Sequence, residues 1–283
     1  MGSVDALSAV VKWVAYLSSL QAAGLMLFSI AFLHAAPGMR GWAGPRIVLS
    51  ACLALFTSWG WFALEPARMS GSFEGAFDRE LVGLAWDGKS TALLMRSLGL
   101  GGLLWSAVRD VRSWAVAGIA VACVVASFVL TGHTTDSGLP AQAVLALHVA
   151  IVTFWFGSLT PLWAVTQMEP AAVAGRIVES FSAIATTVVP GLLLAGVILA
   201  WLIGVRASTL DLPYGRLLVG KVVGFAALMA IAGINKWRLG PRLRTGDSRA
   251  LAQFRASVAI EYVAIASLLA LTATLTTFYS IEA

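Results

Sequence analysis

The sequence predicts an all-α fold, a polytopic membrane bundle of about eight transmembrane helices. Three observations carry this. Of 283 residues, 59% are hydrophobic and only 12% charged, where a soluble domain carries roughly 25% charged residues. Apolar runs long enough to cross a bilayer recur from end to end. Lys and Arg gather in alternate connections between those runs, the bias that orients membrane helices.

The spans follow in order, near 10–34, 45–65, 89–109, 113–131, 140–166, 178–204, 214–237 and 254–279. The first lacks a basic segment before it and is too long for a signal-peptide core, so it reads as a retained helix. Pro37-Gly38 ends it, Gly44-Pro45 opens the second, and Glu65-Pro66 closes that one. The longest break, 66–88, contains Asp78, Glu80 and Asp87 and has room only for a short surface helix. Gly138-Leu139-Pro140, Pro170, Pro213 and Gly240-Pro241 punctuate the second half. Residues 1–283 then form a single integral-membrane domain, with no room for a soluble one.

Odd-numbered connections carry Arg40 and Arg46, then Arg109 and Arg112, Arg176, and finally Lys236, Arg238, Arg242, Arg244 and Arg249. The others carry Arg68, Arg79, Arg206 and little else. The positive-inside rule puts the odd connections in the cytoplasm and both termini outside, which in a bacterium is the periplasm. The net charge of +5 therefore reports orientation and gives no reason to expect nucleic acid. Walker, dinucleotide-binding and HExxH motifs are absent from the sequence. No cytoplasmic loop is long enough to bind a nucleotide, which excludes an ATP-driven pump. Cys52 and Cys123 lie within apolar runs and read as small buried hydrophobes, with copper(I) ligation as the alternative.

Polar residues inside the spans carry the chemistry, because an intramembrane ionisable group is by default a functional candidate. His133 falls at the outer end of the fourth span, beside Gly132 and three residues before Asp136. His148 lies roughly 12 Å into the fifth, with Val152 and Trp155 on the same face. The two differ in depth by about two turns, so they either share an ion through an inward-dipping loop or form successive stations. Neutral imidazole suits copper, zinc or haem iron. Met95, Met229 and Met26 offer soft sulfur at plausible depths. His34, at the opposite end of the first span, reads as interfacial. Lys89 and Arg96 share a face of the third span and Lys221 lies near the same outer level. Glu65 is the candidate partner for Lys89, and Asn235 or Lys236 for Glu261. Such pairs hold helices together, bind an anion or relay protons.

Several motifs then stand in a recognisable order. Gly132-His133, Leu147-His148 and Trp155-Phe156-Gly157-Ser158-Leu159-Thr160-Pro161-Leu162 are followed by Tyr214-Gly215-Arg216-Leu217-Leu218-Val219-Gly220-Lys221. Asn235-Lys236, Pro241-Arg242-Leu243, Ser257 and Glu261 complete the series. Trp59, Met69-Ser70-Gly71 and Thr91 through Arg96 fit in the first half. Together these resemble the copper resistance protein D (CopD) family over nearly the whole chain. Departures are Lys12 where Arg is common and an ending without the expected prolines. No CopC-like β-domain is fused to the chain.

The resemblance implies a bacterial inner-membrane protein that moves copper from periplasm towards cytoplasm, without enzymatic activity. It also implies a separate periplasmic CopC-like copper-binding partner. His133 would capture copper with Asp136, and His148 would take it inward with Met95 or Met229. Copper(I) fits a His/Met set, and copper(II) a set richer in nitrogen and oxygen. Two rivals stand beside this reading: a b-type haem redox protein with axial His148, and a copper-binding partner protein without transport activity.

Overall fold

A computed structural model describes residues 2–39, 41–111, 113–131, 137–245 and 247–279. Among them every regular element is helical. The long helices are α1 (Ser3–Phe32), α2 (Ala43–Ala63), α4 (Arg79–Val108), α5 (Trp114–Val129), α6 (Gly138–Met168), α7 (Ala171–Val188), α8 (Pro190–Leu202), α9 (Pro213–Ile234) and α11 (Ser248–Phe278). Two short ones, α3 (Glu65–Ser70) and α10 (Gly240–Arg244), sit at membrane-facing ends. Seven segments are long and apolar enough to cross a membrane, the α2–α3, α7–α8 and α9–α10 pairs counting as one each. The segment expected as the fourth span is α5, a shorter apolar helix whose 16 residues reach about 24 Å against a hydrocarbon core near 30 Å.

Several boundaries differ from the sequence reading, each for a local reason. The third span begins at Arg79, not near 89, because Asp78 caps it by accepting from the backbone N–H groups of Glu80 and Leu81. The short surface helix expected in the 66–88 break is α3, followed by a 3₁₀ turn at Phe73–Phe77. The sixth span splits where Pro190 opens a new helix, having no N–H to continue the old one. The seventh runs through a π turn at Asn235–Leu239 before α10. Cys52 faces outward, not into the core.

Helix α1 is the centre of the bundle and packs against α2, α5, α6 and α11. Its crossing with α6 rests on two glycines. A Cβ on Gly24 would collide with the Thr153 carbonyl and the Gly157 Cα, and one on Gly157 would collide with the Gly24 backbone. Small residues give membrane helices this close approach. Pro161, four residues after Gly157, cannot donate the helical bond to the Gly157 carbonyl. Gln21 of α1 fills the gap: its Nε2 donates to that carbonyl at 3.2 Å and to Thr160 Oγ1 at 2.8 Å. The motif from Trp155 to Leu162 is therefore in large part a packing device.

The start of α1 and the end of α11 lie at one end of the bundle. Arg68 pairs with Asp5 at 3.2 Å and donates to the Thr277 carbonyl at 3.1 Å. Trp13 Nε1 donates to the Ala266 carbonyl at 2.9 Å, tying α1 along α11. The opposite end carries Arg242 paired with Asp247 at 2.8 Å and Arg244 paired with Glu179 at 2.9 Å.

Candidate functional site

His148 lies on the face of α6 turned towards α8. Helix α8 approaches closely there because Gly196 has no side chain, and a Cβ at that position would sit 3.7 Å from the ring Cε1. The ring is near the Leu192 backbone and within electrostatic reach of Lys221 on α9. Its Nδ1 is buried and makes no hydrogen bond of good geometry, the Leu192 backbone being the polar group within reach of the ring. A buried polar atom without a well-formed hydrogen bond costs roughly 1–3 kcal/mol.

About 10 Å further along α6, Trp155 is buried and meets Phe225 of α9 edge-on at 6.3 Å. The indole stands beside Glu261 of α11, only 3% exposed. Asn235 Nδ2 donates to Glu261 Oε1 at 2.5 Å. Of the two partners the sequence levels offered for Glu261, Asn235 is the one that meets it, while Lys236 donates to the Thr186 hydroxyl. It forms at the first residue of the π turn, a distortion that often accompanies functional positions. Three of the motif segments, around Trp155, Asn235 and Glu261, thus converge at one depth.

The other sequence-derived ligand candidates are placed apart. His133 and Asp136 lie outside the described residues. Met95 is on α4, which packs against α1, α2, α3 and α5, whereas His148 faces α8. Met229 is eight residues past Lys221 on α9, about 12 Å deeper, and packs against the main apolar core. No group of three or more His, Cys, Asp or Glu side chains is poised to hold a metal among the described residues. His34 is exposed, in keeping with an interfacial position.

Around the termini, the expected Lys89–Glu65 ion pair is present, and Arg68 adds a second bond to Glu65 at 3.3 Å. Lys12 and Trp61 join this group unannounced. The signal for Lys12 was a cation inside the first apolar run; nothing in the sequence marked which way Trp61 faces.

Against families of known proteins, residues 3–143 match the copper resistance protein D-like N-terminal domain and residues 175–275 match copper resistance protein D. The chain belongs to the copper resistance protein D family. It is 26% identical over 299 aligned positions to "Copper resistance protein D" of Pseudomonas syringae pv. tomato, covering 96% of each chain. It is 31% identical over 139 residues to "Inner membrane protein YebZ" of Escherichia coli (strain K12). That match takes in 46% of this chain and 48% of the relative, so it spans about half of each. No solved structure matches. The chain is thus a CopD-family copper resistance membrane protein, a polytopic helix bundle.

Proposed function

We propose that this CopD-family protein resides in the bacterial inner membrane with both termini periplasmic and carries copper from the periplasmic face inward. Copper is its cargo and it performs no chemical conversion. The observation that carries the reading is the buried Nδ1 of His148, without a hydrogen bond of good geometry, in the outer half of a span whose preceding loop contains His133 and Asp136. Imidazole nitrogen is a good copper ligand, and a site of few ligands suits an ion that must leave again. Basic residues at the end away from the termini support the orientation.

In this reading His133 and Asp136 receive copper from a separate CopC-like protein, and His148 takes it into the bundle. The separation of Met95 and Met229 from His148 assigns them, at most, to other points on the path. The cation at Lys221 opposes a second positive charge at His148, so it lowers the affinity of that station and favours onward movement.

Copper uptake into proteoliposomes tests this. The wild-type chain is expected to load vesicles with copper, and His148→Ala is expected to abolish loading while leaving insertion intact. Binding without uptake would favour the non-transporting partner. A Soret band in the purified protein would favour the b-type haem reading, with His148 as an axial ligand.

A further inference from the structure

Helices α2 and α11 each pack on α1, and α11 packs on α6 as well. Between α2 and α11 lies a groove of about 460 Å³ with α1 and α6 as its floor. Ligand sites run from roughly 300 to 1,000 Å³, so the groove can hold a sizeable molecule. Leu25 and Leu159 line the floor, and Val258, Ala259 and Val263 line the α11 side. Val263 is 65% exposed in the middle of its helix. The groove therefore opens sideways, towards the bilayer.

Its mouth lies at the end of the bundle away from the termini. Trp42, Arg46 and Ser50 line it at four-residue spacing, so they descend one face of α2. Arg46 is exposed in the first turn of α2. Its guanidinium lies over the Trp42 ring at 4.1 Å and donates to the Trp42 carbonyl at 2.9 Å. It forms no ion pair among the described residues, and no carboxylate lines the groove. Arg255 of α11, one turn before Ala259, adds a second cation nearer that end and reaches the Thr166 carbonyl at 3.4 Å. Trp163 stands on the α6 edge, within two turns of the helix end. Tryptophans at such positions mark the headgroup level of a bilayer.

The chemistry changes along the groove. An exposed, uncompensated guanidinium and two indoles stand at the mouth, and the deeper wall is mostly apolar. The polar side chains of the floor, Gln21 and Thr160, are bonded to each other at 2.8 Å. A fitting occupant thus has an anionic head and an apolar tail. The planar fork of a guanidinium matches phosphate oxygens, and basic pockets between membrane helices take anionic lipid heads.

We propose that this groove binds one anionic phospholipid, its phosphate at Arg46 and an acyl chain lying between α2 and α11. The chain covers the Gln21–Thr160 contact and so braces the α1–α6 crossing at Gly24 and Gly157 beneath it. In the orientation proposed above this is the cytoplasmic leaflet. The site itself depends neither on that orientation nor on how copper is handled.

Native mass spectrometry of the purified full chain, delipidated in detergent and titrated with phosphatidylglycerol or phosphatidylcholine of matched acyl chains, tests it. One saturable lipid per chain is expected, with phosphatidylglycerol bound about fivefold more tightly, the scale of one basic residue near an anionic lipid. Arg46→Gln changes an exposed side chain and is expected to bring phosphatidylglycerol down to the phosphatidylcholine level. Ala259→Trp fills the groove from α11 and is expected to lose both lipids. Equal wild-type affinity for the two lipids, an undiminished preference in Arg46→Gln, or wild-type binding in Ala259→Trp would overturn the proposal. So would a phosphate-free molecule that co-purifies with the wild type and is missing from Ala259→Trp.

Discussion

The first half of the chain gathers its buried ionisable groups into one web, while the second half strings them out singly. On α1, α2, α3 and α4, two carboxylates and four cations cluster around Tyr16 and Trp61, and Phe128 of α5 packs against them. Along α6, α9 and α11 stand His148, then Trp155, then Asn235 with Glu261. Packing differs most between the central first helix and the seventh span. The most apolar stretch of Ser3–Ala35 is 78% buried within the protein, against 6% for that of Pro213–Arg244. A dense web can lock helices together, whereas isolated polar groups on a lightly packed set of helices can change partners. Under the proposed function, structure falls chiefly to the first constellation and copper handling to the second.

The sharpest way to break this contrast is Glu65→Gln, which leaves Lys89 and Arg68 without their shared carboxylate. Loss of one partner from a buried ion pair costs about 3–5 kcal/mol, and thermal unfolding in detergent should show a large fall in midpoint. A small fall would mean that the web is ornamental. Next in size is Lys221→Met, which removes the cation opposing copper at His148. Copper affinity should rise on the order of tenfold, equivalent to about 1.4 kcal/mol of relieved repulsion, as read by chelator competition. An unchanged affinity would show that Lys221 does not act on the station.

Smaller again is Glu261→Gln, which keeps an oxygen acceptor for Asn235 Nδ2. Its cost should stay near 1 kcal/mol, and a loss as steep as that of Glu65→Gln would erase the distinction between the two halves. The smallest effect belongs outside the membrane, at the N-cap of α11. Hydrogen bonds from the Arg242 guanidinium and from the backbone N–H groups of Ala250 and Arg249 hold the Asp247 carboxyl below its ordinary value of 3.8. Its contribution is therefore present above that value and disappears as pH falls through the lower folded one. Asp247→Asn should leave a slightly flatter acid limb in a stability-against-pH curve and no change at neutral pH in copper binding.

Much of this arrangement was legible in the sequence, for identifiable reasons. Long apolar runs with proline and glycine between them located the spans, because a bilayer admits few other structures. Counting residues along each span was enough to pair Glu65 with Lys89 and to narrow the partner of Glu261 to Asn235 or Lys236. Rotation about each helix axis was not legible. A membrane helix is apolar all round, so periodicity does not show which face meets a neighbour. Met95 and His148 both fell at plausible depths, yet their helices face different neighbours. The same ambiguity hid Trp61 and the turn of Lys12 towards it. The bond from Gln21 to the carbonyl freed by Pro161 needed the crossing at Gly24 and Gly157 to become visible.

Copper(I) binding to the full chain in nanodiscs, compared between wild type and His148→Ala, tests the division of labour most directly. The account predicts that His148→Ala loses a copper site while its thermal midpoint stays within about a degree or two, since only one ring without a well-formed hydrogen bond is removed. Unchanged copper stoichiometry and affinity in His148→Ala would contradict it.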